Sequence, residues 1–109
     1  MTVIVHIVLI ELSAGISEEE RNLVRRTARS LASTIPGIER VEEGGSVSPE
    51  GLEHGFDYAL VITFRDAQVR DAYLAHPDHQ ILAGQISRHA KRVIVFDLKG
   101  AVGESVYAD

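Results

Sequence analysis

Val3-Ile4-Val5-His6-Ile7-Val8-Leu9-Ile10 is the stretch that decides the fold. It is rich in β-branched residues and short, which reads as a strand. Its apolar residues do not keep to one parity. Val3, Val5, Ile7 and Leu9 fall on one face, and Ile4, Val8 and Ile10, with His6, fall on the other. A sheet with one wet face alternates apolar and polar, so both faces of this one need cover.

Working outward, Ser13-Ala14-Gly15 breaks the strand, and Ser17 followed by Glu20 has capping-box spacing. Glu18 and Glu19 favour the positive end of a helix dipole. Leu23, Ala28, Leu31 and Ile35 recur near helical spacing up to Pro36-Gly37, which ends the helix. Ile38 to Val47 reads as a second strand, with a bulge or bend expected at Gly44-Gly45, before the turn Ser48-Pro49-Glu50-Gly51. Phe56 to Phe64 is a third strand. Asp66 is the expected N-cap of a short helix to Ala75, and His76-Pro77 breaks that helix. Pro77 suits the first turn of another helix, ending near Ser87, and Lys91 to Leu98 is the last strand.

The order strand, helix, strand, strand, helical segment, strand is the split βαβ, or ferredoxin-like, α+β arrangement. It predicts an antiparallel four-stranded sheet with helices on one face. The third and last strands repeat the two-sided apolar pattern, the last through Val93, Ile94, Val95 and Phe96. Each apolar side chain left in water forgoes roughly 1.5 kcal/mol or more. A whole sheet face of them predicts a second copy laid sheet against sheet, a homodimeric α/β barrel.

With 109 residues the chain holds one domain, expected over residues 1–99, with a polar tail over 100–109 that is mobile or reaches a partner. Sixteen acidic residues against eleven basic ones, interspersed and without a basic stripe, leave nucleic-acid binding no electrostatic footprint. There is no cysteine, which excludes disulfides, zinc-thiolate sites and cysteine nucleophiles. The apolar start lacks a basic leader and a small-residue cleavage site, and no segment is long enough to cross a bilayer. A cytoplasmic protein without a membrane partner is expected.

A few polar groups interrupt the apolar strands: His6, His54, Tyr58, Tyr73, His76, Asp78 and His79. His6 lies mid-strand, where an imidazole needs a partner. If its face is the one toward a second subunit, it points between the sheets; otherwise it is a core histidine bonded to a backbone carbonyl. Tyr73-Leu74-Ala75-His76-Pro77-Asp78-His79 is the richest segment, because the proline break can turn Tyr73 and His79 toward one cavity. In the first turn after Pro77 the helix dipole disfavours an imidazolium, which suits His79 to a general base. A phenol beside it can stabilise an oxyanion. The bland alternative is a helix-linking corner with both histidines at the surface. His54 reads as a solvated turn residue and His76 as a structural corner. His76 and His79 have metal-compatible spacing but no evident third ligand, so no metal site is expected. The Glu18-Glu19-Glu20 run and the arginines after it read as a solvated helix face.

These blocks carry a resemblance. His6-Ile7-Val8-Leu9, Ile35-Pro36-Gly37-Ile38, Ser48-Pro49-Glu50-Gly51, His54-Gly55-Phe56-Asp57, Thr63-Phe64, the Tyr73–His79 segment and Val95-Phe96-Asp97 together resemble the stress-responsive dimeric α/β-barrel (Dabb) family, in order and over nearly the whole chain. The resemblance implies a dimer of ferredoxin-like subunits. The best understood relative, a plant polyketide cyclase, folds a linear poly-β-ketone by aldol condensation without metal or organic cofactor. Its catalytic tyrosine and histidine correspond by motif to Tyr73 and His79, and its strand-one cavity histidine to His6. Tyr58 stands where the cyclase has a further histidine.

Three functional readings follow. The first is a cofactor-free acid/base catalyst, a cyclase or isomerase acting on a small carbonyl or polyketide-like compound. His79 takes the proton, Tyr73 polarises the carbonyl, His6 and Tyr58 orient the substrate, and Leu60 and Ile62 help line its site. The second is a non-catalytic stress or assembly module, its interior filled by Leu60, Ile62 and Phe64. The third is a cofactor-free monooxygenase. Fold analogy alone does not choose among them.

Overall fold

The computed structural model describes residues 2–100, so all of the expected tail beyond Gly100 lies outside the described residues. In chain order come β1 (Ile4–Leu12), α1 (Glu18–Thr34), β2 (Ile38–Gly44), β3 (Tyr58–Phe64), α2 (Ala67–Ala75), α3 (Pro77–His89) and β4 (Ala90–Lys99). The strands form one sheet in the order β2-β3-β1-β4, every neighbouring pair antiparallel. This is the ferredoxin-like α+β fold that the element order predicted.

Local chemistry sets the helix ends. The Ser17 side chain accepts from the Glu20 backbone N–H, and the Glu20 carboxylate accepts from that of Ser17, closing the capping box. Asp66 caps α2 by accepting from the Val69 N–H at 2.9 Å. His76 caps α3, its Nδ1 accepting from the Asp78 N–H at 3.0 Å with Pro77 in the first turn. Gly37 turns the chain from α1 into β2 with φ of 92°, and a Cβ there would meet a Val69 methyl at 2.6 Å. Only glycine lets α2 sit this close.

Several boundaries and faces differ from expectation. Ala28, Leu31 and Ile35 are buried as expected, but in the first half of α1 Val24 turns inward and Leu23 is exposed. β2 stops at Gly44, and its irregularity lies between Ile38 and Arg40, not at the glycine pair. Residues 45–57 are a loop, so β3 begins at Tyr58 instead of Phe56. Phe56 lies under the Arg92 guanidinium, 4.4 Å from its ring centre. α3 runs two residues past Ser87 and passes directly into β4.

The core lies between one sheet face and the helices. Ile4, Val8, Ile10 and Leu12 of β1 are buried there, with Leu60, Ile62 and Phe64 of β3. The opposite face shows Val5, Ile7 and Leu9, flanked in register by Ala59 and Val61 on one side and by Ile94, Phe96 and Leu98 on the other. β4 is left open on both faces: Val93 and Val95 on the helix side are 45% and 58% exposed, and Phe96 behind them 61%.

Candidate active site

Because α2 and α3 leave the helix-side face of β4 uncovered, a groove of about 480 Å³ opens between α3 and β4 above the sheet. Its floor is Val8 and Leu60, its walls include Leu82 and Ile86 of α3 and Val93 and Val95 of β4, and one end holds His6, Tyr73 and His79. Three sequence-predicted residues therefore meet, although they come from a strand and two helices.

Their rings form a cluster of tilted and edge-on contacts. Tyr73 lies 4.5 Å from His79 and 5.8 Å, edge-on, from His6, with Phe64 at 5.0 Å supporting it (centre to centre). The broken corner does this: α2 carries Tyr73, capping by His76 restarts the chain, and His79 arrives in the first turn of α3. His79 Nδ1 lies 3.1 Å from the Leu74 carbonyl. A carbonyl only accepts, so in the neutral ring Nδ1 carries the proton and Nε2 keeps its lone pair. Desolvation holds the His79 pKa below the usual histidine value, and repulsion from His6 adds to this against the opposing Leu74 bond. The ring is thus neutral near pH 7, with the Nε2 lone pair free. Burial alone pushes the Tyr73 phenol up to about 12, so it stays a donor.

His6 lies on the helix-covered face, so the condition for an inter-sheet position is not met, and it is a buried histidine bonded to a carboxylate and not to a backbone carbonyl. It shares the face of Ile4 and Val8, and that face is covered by the helices. Its Nδ1 meets Asp97 Oδ1 at 2.6 Å, and Arg70 donates to Asp97 Oδ2 at 2.7 Å and to Asp71 at 2.8 Å. Partial burial works against the Asp97 carboxylate, but the bonds from His6 and Arg70 outweigh it and hold its pKa below the usual range. The sequence reading gave Asp97 and Arg70 no role. The signal for Asp97 is the β1–β4 register, which sets His6 opposite it.

Two other candidate residues lie outside this groove. Tyr58 is on the helix-covered face but outside the groove, and donates to Glu43 at 2.9 Å. Burial, reinforced by Glu43, raises its pKa strongly. Glu43 also takes Arg25 and Arg29 of α1, so two arginines read as solvated clamp a helix to the sheet. Ile62 is wholly buried beside His6 and does not line the groove, whereas Leu60 does. His54 is an exposed loop residue whose carbonyl accepts from Arg92. Asp78 lies beside His76 at 3.9 Å. Among the described residues no three of His, Cys, Asp and Glu gather as a metal would require. No helix among them is long and apolar enough to cross a membrane.

Comparison with known proteins bears on this architecture. Olivetolic acid cyclase of Cannabis sativa is 22% identical over 92 residues, which cover 84% of this chain and 91% of the cyclase. Among solved structures, a hydroxynitrile lyase from Passiflora edulis superposes with a TM-score of 0.85 at 16% identity, over 94% of this chain and 97% of its own. A dimeric ferredoxin-like protein of Jannaschia sp. gives 0.82 at 24% identity, over 90% and 99%. At these identities the structures speak for the fold alone. The model of the stress responsive A/B barrel domain matches residues 4–99, nearly the whole of the described fold. The chain belongs to the stress responsive A/B barrel domain family.

Proposed function

We propose that this chain is a cytoplasmic homodimer that catalyses cofactor-independent acid/base chemistry at the carbon beside a carbonyl, as in an aldol cyclisation or an isomerisation. The observation that carries the reading is the His79–Tyr73 contact at the head of an otherwise apolar groove. His79 Nε2 removes the proton, Tyr73 O–H donates to the oxygen that becomes an enolate, and the carbanion attacks a second carbonyl of the same chain. The resulting alkoxide recovers the proton from His79. His6, held by Asp97, supports the edge of Tyr73. The apolar walls suit a small, mostly hydrocarbon substrate and exclude water from the enolate. The 22%-identical relative named as a cyclase supports this reaction class. An open groove also supports it over a module with a filled interior. The covered and uncovered sheet faces support the dimer, as does the dimeric description of the Jannaschia protein.

The test is His79→Ala, assayed on poly-β-ketone and simple ketone substrates by exchange of the α-proton. Turnover is expected to fall about 10²- to 10⁴-fold with the dimer intact. In the wild type the acid limb of kcat/KM falls below the usual histidine value of about 6.5, because the neutral form is the active one. Unchanged turnover in the variant removes the assignment.

A further inference from the structure

The groove is polar at both ends, and the proposed chemistry uses only one of them. We infer that the opposite end is an anion subsite built on Lys91, and that the substrate is an amphipathic carbonyl compound with a terminal carboxylate. This rests on the catalytic reading of the His79 end and adds the class of molecule that end would receive.

Lys91 lines the groove with Ser87, beyond the apolar stretch of Leu82, Ile86, Val93 and Val95. Residues 93, 95 and 97 of β4 share the helix side, and a register shift between Glu11 and Leu12 leaves Lys91 unpaired at an irregularity just before that row, where it borders the groove. Asp97 stands beside His6 at the catalytic end, so six residues of strand separate the two ends, about 20 Å at the usual rise. On α3 the interval from His79 to Ser87 is eight residues, about 12 Å. A molecule reaching from the imidazole to the ammonium therefore spans most of the groove, with hydrocarbon between two polar termini.

Lys91 is also unengaged. Among the described residues no carboxylate lies within ion-pair distance of it, whereas its neighbour Arg92 is taken by Glu11 at 2.7 Å. A cation left free at the end of an apolar channel, with a hydroxyl beside it, has the chemistry to receive a carboxylate.

The test is equilibrium binding by calorimetry with 9-oxodecanoate, a methyl ketone and a carboxylate at opposite ends of one flexible chain, and with its methyl ester. The wild type is expected to prefer the acid about fivefold, and the preference fades with added salt. Lys91→Ala abolishes the preference while leaving ester affinity unchanged, and Lys91→Arg retains it. Equal binding of acid and ester by the wild type, or an acid preference that survives Lys91→Ala, overturns the subsite. The readout needs no turnover, so it is separate from the catalytic test. A ketone-processing enzyme indifferent to charge loses this inference alone, and a charge-selective binder without turnover loses only the catalytic reading.

Discussion

The carboxylate of Asp97 shows how a single residue is set by pairs distant in sequence. It receives the His6 ring and the Arg70 guanidinium, and charge-assisted bonds of this kind contribute on the order of 1–2 kcal/mol. Its pKa in the folded protein is below the ordinary value, so the stabilisation is complete above about pH 4 and is lost as pH falls through the depressed value. Asp97→Asn should therefore lower the urea midpoint at pH 7, and the difference from wild type should shrink on acidification toward about pH 2. A gap that stays constant over that range would show that the carboxylate charge is irrelevant. Tyr73 and His79 were legible because both lie in one short segment whose proline announces the corner. Asp97 was not, since its partner is 91 residues away and only the strand register joins them. The bond that holds Tyr58 was hidden for the same reason: its partner Glu43 lies across the β2–β3 ladder.

Among the elements, the corner between α2 and α3 carries the site. His76 ends one helix and caps the next, and the first turn it starts contains His79. His76→Ala should cost about 1 kcal/mol of stability, read as a lower midpoint in thermal or urea unfolding. Turnover should fall with it, as His79 loses its fixed approach to Tyr73. His76→Asn, which keeps a capping acceptor, should restore most of both. An alanine variant as stable as wild type would mean that Pro77 alone starts the helix. Helix starts were readable because caps are local: Ser17, Asp66 and Pro77 each act within a turn of their own position. The end of β2 and the first inward residue of α1 were not. Whether Leu23 or Val24 turns inward depends on how the helix rolls on the sheet, which no pattern within the helix specifies.

At the scale of the molecule, the uncovered sheet face was the part most plainly written in the sequence, because β1 is apolar at both parities. Phe96 stands near the middle of its β4 row and is 61% exposed in the single chain. Phe96→Arg should convert the dimer to monomers in sedimentation at micromolar concentration, since a charge there would be buried without a partner. A variant that stays dimeric would place the subunit contact elsewhere. Which of the two β1 faces met the helices could not be read from parity alone; it took β3 and the helices together to bury the even residues. In the proposed dimer, strand β4, exposed on both its faces in the single chain, would be a party wall between two rooms. Whatever lodges against Val93 and Val95 would touch the same backbone that carries Ile94 and Phe96 on the other face. If occupancy on one side favours mating on the other, linkage requires that dilution loosen the occupant by the same factor.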